Sequence, residues 1–369
     1  MSAVTVTRPL APRAPLDLTG GRRDDARLLV SWRHDGRLAE ATMADLPSFL
    51  DPGDVVVVNV SATRPAALVA DGVGDVAPRP DVDGGLVVHL STLLDESGLW
   101  VVEPRHRHGA GSTPWLDFPP DRPVVLPGGA RLDLIEPYLP AGRAAARASV
   151  GVHASAGAPV RLWTARLRLP RPLDEHLARF GRPIRYGRDA RPWPLSAYQT
   201  VFATTPGSAE MPSAARGFTP VLVARLVSEG VVVAPITLHT GVASQEAHEP
   251  PYPERYEVPS ATAAAVNHAR GEGRRVIAVG TTATRALESV ADPTGQVTPG
   301  AGWTDLVITP ERGAWAVDGL ISGWHDPEAS HLLLVEAVAG RDTLDRSYER
   351  AVAAGFAGHE FGDFHLVLP

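Results

Sequence analysis

RRVIAVGTTATRALES, residues 274–289, changes from an apolar strand pattern to a helical one at Gly280. The run from Val276 to Val279 is short, apolar and bounded by arginines and a glycine, as in a strand covered on both faces. The string is therefore a βα turn of an α/β sheet. Thr281 or Thr282 is placed to cap the helix, leaving backbone N–H groups and the positive end of its dipole facing outward. Arg285 falls in the first turn, where a cation opposes the dipole unless an anion or carboxylate sits beside it. The string suits an anion site, and it suits an ordinary capped turn equally well.

The same texture continues on both sides. SATAAAVNHARGEG (260–273), TRALESV (284–290), ASHLLLVEAVAG (329–340) and LDRSYERAVAAG (344–355) have helical spacing. FTPVLVARLVSEG (218–230) is a helix that stops at Gly230, and VVVAPITLHTG (231–241) is a buried strand with a polar end. Nearer the start, RDDARLLVSW (23–32) ends in a strand. LPSFLDPGDVVVVNVS (46–61) reads as a short helix, a Pro-Gly turn and a strand from Val55 to Asn59. Residues 1–20 are Pro-rich and extended.

Between about 65 and 170 the pattern differs. LVVHLSTLL, LWVVEP, RPVVLP, ARLDLIEP and VRLWTARLRL are short β-like runs with turn signals about every ten residues. That spacing predicts an antiparallel barrel or sandwich inserted into a discontinuous α/β domain. The expected boundaries are 1–64 and 172–369 for the α/β part and 65–171 for the β part. APRPDVDGG (77–85) is expected to be an exposed loop.

The chain of 369 residues holds no cysteine, and all 35 of its basic Lys+Arg residues are arginine. Disulfides, thiolate nucleophiles, zinc–cysteine sites and iron–sulfur clusters are excluded, as are Schiff-base and P-loop lysines. No apolar run reaches the length of a membrane span, and the Pro-broken start lacks a secretory apolar segment. A cytoplasmic protein with no membrane partner is expected. The net charge of −7 argues against a surface that coats nucleic acid generally, though not against a local basic patch.

Two histidines stand where ligands bind α/β sheets. His239 lies where a strand gives way to a loop, at the carboxyl end favoured for ligands; a satisfied core histidine would read the same. His325, in LISGWHDPEASHLLL (320–334), sits beside Asp326 and suits a general acid or base, unless Asp326 serves only as a helix cap. No H-x-x-x-H or similar spacing occurs, so no metal is expected. From Arg161 to Arg191, nine arginines face Asp174, Glu175 and Asp189, a local charge of +6 with Tyr186, Trp193 and Tyr198 close by. Arg168, Arg171, Arg182, Arg185 and Arg188 are the candidate RNA contacts, since arginine with aromatics suits phosphates and unstacked bases. A solvated arginine-rich face is the alternative.

Several strings, in this order, resemble the queuosine-pathway family of S-adenosylmethionine:tRNA ribosyltransferase-isomerases. RDDARLLV, LDPGDVVVVN, AYQTVFA (197–203), TLHTG, ERYEVP (254–259), AVGTTATRALES, GWTDLVI, VDGLISGWHDP and FGDFHLVL each match a family block, nearly end to end. The resemblance implies an α/β domain and a six-stranded β-barrel. It implies S-adenosylmethionine as a co-substrate that donates ribosyl, not methyl, with no further cofactor. The acceptor would be 7-aminomethyl-7-deazaguanine in a tRNA anticodon, and adenine and methionine would leave. The sulfonium acidifies its neighbouring C–H, so a base starts the reaction without a metal. A monomer is the expected state.

The resemblance carries His239 and His325 as proton-transfer residues. It carries Arg27, Asn59, Tyr198, Gln199, Gly280, Thr281, Thr282, Arg285 and Asp363 as substrate-binding ones. Departures are concentrated at blocks that matter. The family's A-A-P-T-A-G-L-H-F-T appears as AEMPSAARGFT (209–219), with its histidine replaced at Gly217 or nearby. N-D-T is NVS (59–61), H-x-M-H-S-E is EPPYPE (249–254), T-N-F-H-L-P is SGWHDP, and Y-R-F-F-S-F-G-D is GFAGHEFGD (355–363). Two other functions therefore stand open beside the tRNA reaction: a paralogue that uses S-adenosylmethionine on a small molecule or as a lyase, and a non-catalytic nucleoside-binding protein.

Overall fold

The computed structural model describes residues 9–73, 85–95, 97–108, 111–138, 160–186, 191–242, 252–326, 329, 331–358 and 360–369. The loop expected at 77–85 lies almost wholly outside them.

The chain opens with β1 (Arg27–Trp32), β2 (Leu38–Thr42), β3 (Val55–Asn59) and β4 (Ser61–Thr63). It then builds a second sheet from β5 (Ala67–Val69), β6 (Gly72–Val73), β7 (Leu86–Asp95), β8 (Leu99–His108), β9 (Gly111–Pro114), β10 (Val124–Leu126), β11 (Ala130–Pro137) and β12 (Trp163–Arg168). Helix α1 (Leu173–Phe180) and β13 (Thr205–Ser208) lead back to the first sheet. There follow α2 (Pro220–Ser228), β14 (Val232–His239), β15 (Glu254–Val258), α3 (Ser260–Gly271), β16 (Val276–Val279) and α4 (Gly280–Glu288). The chain closes with β17 (Gly300–Thr304), β18 (Gly319–Gly323), α5 (His331–Ala339), α6 (Arg341–Ala354) and β19 (Phe364–Leu368).

The first sheet has nine strands in the order β17-β15-β14-β3-β16-β18-β19-β1-β2. Its middle is β3, and the four valines of β3 explain why. Successive side chains point to opposite faces. Val55 and Val57 pack in the core under α3, α4, α5 and α6, while Val56 and Val58 pack in the core of the other face with Leu222 and Leu226 of α2. Each valine is essentially fully buried, which contributes about 1.5–3 kcal/mol per side chain.

The second sheet runs β5-β7-β8-β12-β11-β10-β6, antiparallel throughout. Because β5 and β6 follow one another in one bent segment, the sheet closes on itself as a six-stranded barrel, around a core that includes Leu68, Val88, Val102, Leu132 and Ala165. The fold is thus an α/β domain with an inserted antiparallel β-barrel. The segment after residue 171 stays with the barrel. Leu177 and Ile184 join the barrel core, and Arg182 exchanges two backbone hydrogen bonds of 2.9 Å with Ala67.

Candidate active site

Strands β14, β3, β16 and β18 are adjacent and mutually parallel. Their carboxyl ends form one edge, the place where α/β sheets bind ligands. Along that edge stand His239 at the end of β14, Asn59 at the end of β3, Gly280 directly after β16 and His325 just beyond β18. Three strand steps separate β14 from β18, roughly 14 Å. Asn59 and His325, 266 positions apart in sequence, thus share one sheet edge only because their strands are neighbours.

At the β14 end, Asn59 is fully buried and stitches two strand ends together. Its Nδ2 donates to Leu238 O at 2.8 Å, and its Oδ1 accepts from the N–H groups of Leu238 and Ser61, both at 3.0 Å. That bracket sets the position of Ser61, whose Oγ lies 2.7 Å from His239 Nδ1 and 2.6 Å from Ser208 Oγ. Ser208 also accepts the N–H of Thr240 at 3.0 Å. Gly207 lies flat against the His239 ring, and a Cβ there would overlap it. Burial first, then Arg64 and Arg255, pushes the His239 pKa down to about 4, so the ring is uncharged at neutral pH. Arg255 sits opposite His239 in the strand register.

Tyr198 and Gln199 hold the other side of β4. Gln199 exchanges two hydrogen bonds with the Thr63 backbone at 2.7 and 3.0 Å, as a strand neighbour would, and Thr63 Oγ1 donates to Tyr198 O at 2.8 Å. The Tyr198 ring packs edge-on to Phe361 at 5.2 Å. Both residues support Ser61 through β4 in this arrangement.

The corner after β16 differs from its expected form in two ways. Helix α4 begins at Gly280, with Val279 as its cap residue and no side-chain cap, so neither Thr281 nor Thr282 caps it. The reason is the φ of +87° at Gly280, a left-handed turn that glycine adopts without strain. It lets the strand enter the helix directly. Thr281 and Thr282 are half-buried in the first turn, beside N–H groups that the helix itself leaves unpaired. Arg285 therefore stands in the last turn, not the first. Its guanidinium pairs with Glu254 and donates to Leu306 O at 3.2 Å and Thr304 O at 3.1 Å. The carboxylate that satisfies it belongs to the chain. Glu254 also accepts the N–H of Gly241 at 3.0 Å, tying α4 to the loop that follows His239.

At the β18 end, the Tyr348 hydroxyl clamps the His325 backbone, accepting from its N–H at 3.1 Å and donating to its C=O at 3.0 Å. Ser322 Oγ is 3.0 Å from His325 Nε2, and the His331 ring stacks on His325 with centroids 5.0 Å apart. Burial and the Arg285 charge push the His331 pKa to about 4. Trp324 stacks on His365, whose Nε2 lies 2.8 Å from Ser31 Oγ.

Arg27 and Asp363 lie farther along the same edge, bound to one another and to the chain. Asp363 is 2% exposed; it accepts the N–H groups of Arg27 and Ala357, each at 2.8 Å, and pairs with Arg13 at 2.9 Å. The Arg27 guanidinium reaches Ala354 O at 2.9 Å and Glu40 at 2.7 Å, over the Phe356 ring. Their side chains close the start of β1 against the C-terminal strand.

Of the candidate RNA contacts, Arg168 and Arg182 are exposed on the barrel side, Arg168 beside Asp133 at 3.3 Å. Arg171 lies over the Phe180 ring, and the Arg185 C=O accepts from Ser112 Oγ at 3.5 Å. Arg188 falls outside the described residues. Reading the sequence missed Ser61, Ser208, Gly207, Glu254, Arg255 and His331. Only Ser61, two residues past Asn59 at a strand end, carried a positional hint.

No helix among the described residues is long and apolar enough to cross a membrane. The chain matches the family described as queuosine biosynthesis protein over residues 8–367. It belongs to that family. It is 37% identical over 357 residues to the S-adenosylmethionine:tRNA ribosyltransferase-isomerase of Thermus thermophilus, covering 94% of this chain and 93% of that one. To the protein of the same description from Desulfitobacterium hafniense it is 34% identical over 358 residues, covering 94% of both chains. A crystal structure of S-adenosylmethionine tRNA ribosyltransferase from Thermotoga maritima spans 100% of this chain and 99% of its own length, at 23% identity and a TM-score of 0.47.

Proposed function

We propose that this chain is an S-adenosylmethionine:tRNA ribosyltransferase-isomerase. It moves the ribosyl group of S-adenosylmethionine onto 7-aminomethyl-7-deazaguanine in tRNA, giving epoxyqueuosine and releasing adenine and methionine. One observation carries the reading beyond family membership. A single sheet edge gathers an uncharged imidazole at His239, a second imidazole at His325 and the helix start of Gly280–Thr282 between them. The helix start offers N–H groups to the carboxylate or the hydroxyls of the donor. The two histidines flank it, one of them to carry proton transfer.

Asn59, Tyr198, Gln199 and Arg285 shape this edge from behind. Arg168 and Arg182 extend onto the barrel as phosphate contacts for tRNA, with Arg171 and Arg185 alongside. S-adenosylmethionine is the co-substrate in this reading and no further cofactor takes part. The protein works as a cytoplasmic monomer. Incubation with S-adenosylmethionine, with and without tRNA bearing the 7-deazaguanine precursor, tests it: adenine and methionine are expected only with that tRNA. Release that is independent of tRNA points to a small-molecule or lyase reaction.

A further inference from the structure

Ser208 and Ser61 are both fully buried. Each hydroxyl has one proton, and burial requires that proton to find an acceptor. Ser208 Oγ already accepts the N–H of Thr240 at 3.0 Å. Among the described residues, the acceptor left to it is Ser61 Oγ, at 2.6 Å. Ser208 therefore donates to Ser61. Ser61 Oγ then has its own proton to place, and its remaining neighbour is Nδ1 of His239 at 2.7 Å. All the bonds run in one direction because the chain starts on a backbone N–H, which cannot accept.

An imidazole whose Nδ1 accepts a hydrogen bond carries its proton on Nε2. We infer that Thr240 N–H, Ser208 and Ser61 are positioning groups that hold His239 as its Nε2–H tautomer, so that it presents a hydrogen-bond donor, not a base, to a lone pair of the bound nucleoside. The opposite tautomer would turn Ser61 toward Ser208 and leave the Ser208 proton facing only the Thr240 N–H. A buried hydroxyl without a partner biases the two tautomers by about tenfold or more. Among the described residues nothing bonds His239 Nε2, so that donor is available to a ligand. Gly207 keeps the ring in line with Ser61 by lacking a side chain.

The role toward a nucleoside rests on the function proposed above, whereas the tautomer does not. The test is the pair of ring-nitrogen chemical shifts of His239 in the full chain made with isotope-labelled histidine, assigned by their loss in His239→Gln. Nδ1 is expected in the unprotonated range and Nε2 in the protonated one. Ser61→Thr, which keeps the hydroxyl, should preserve that pattern. Ser61→Ala and Ser208→Ala should each move the two shifts toward one another. A protonated Nδ1 in the unsubstituted protein overturns the inference, as does a pattern unchanged in both alanine variants. If an alanine variant does not fold, the unsubstituted protein and Ser61→Thr decide. A correct tautomer in a protein that releases no adenine removes the functional reading and leaves the proton chain standing; a wrong tautomer in an active enzyme does the reverse.

Discussion

Phe364 fills the space that a side chain at residue 217 would need. A Cβ built on Gly217 would lie 2.7 Å from the Phe364 ring and 2.8 Å from Met43 Cγ. Gly217→His alone should therefore destabilise the protein, and Phe364→Ala alone should leave a cavity. The double variant should recover part of both losses, a coupling of roughly 0.5–3 kcal/mol in urea unfolding. Strict additivity would show that the two positions are independent.

Gly207 makes a second prediction. Its missing side chain is what allows the His239 ring to lie beside Ser61. Gly207→Ala should displace the ring and lower kcat for adenine release by about tenfold or more, with KM little changed, since misplacing a reacting group costs rate before binding. Equal kcat in the two proteins would remove His239 from the chemistry.

Much of this was legible in the sequence and some of it was not, for identifiable reasons. Val55–Asn59 was readable as a central strand because its four valines have to serve two faces. The barrel was readable from its turn spacing. The helix start at Gly280 was placed a few residues late because a left-handed φ leaves no periodic trace. Arg285 lacked a visible partner because Glu254 lies 31 residues away and meets it only once β15 packs beside α4. Ser208 sits in a turn-like TTPGS string and reaches Ser61 only through the long-range pairing of β13 with β4.

Arg285 separates a structural from a ligand role. It is 7% exposed and paired with Glu254. Arg285→Leu leaves Glu254 without its cation in a mostly buried setting, so unfolding free energy should fall by about 3–5 kcal/mol. If Arg285 instead binds the donor carboxylate, calorimetry should show S-adenosylmethionine affinity falling steeply while stability changes little.

The buried histidines set an acid limit. Burial pushes the pKa of His365 to about 3, and His239 and His331 stand at about 4. In the unfolded chain each titrates near 6.5. As pH falls below about 6.5, the unfolded chain binds protons that the folded one refuses. Stability is therefore full above that value and lost progressively down to the folded pKa values. Urea midpoints should fall through this window. His365→Met should make the fall shallower by up to one proton's worth of slope, and an unchanged slope would show that His365 titrates normally.

The arginines on the barrel predict a salt signature. Arg168→Ala and Arg182→Ala should each weaken tRNA binding and lower the slope of log affinity against log salt by roughly 1. Unchanged slopes would place the RNA surface elsewhere.

The most direct measurement is a structure of the protein soaked with S-adenosylmethionine. The ligand's carboxylate or ribose hydroxyls are expected on the N–H groups of Gly280, Thr281 and Thr282, between His239 and His325. A nucleoside seated in another cleft, with that corner empty, would contradict it.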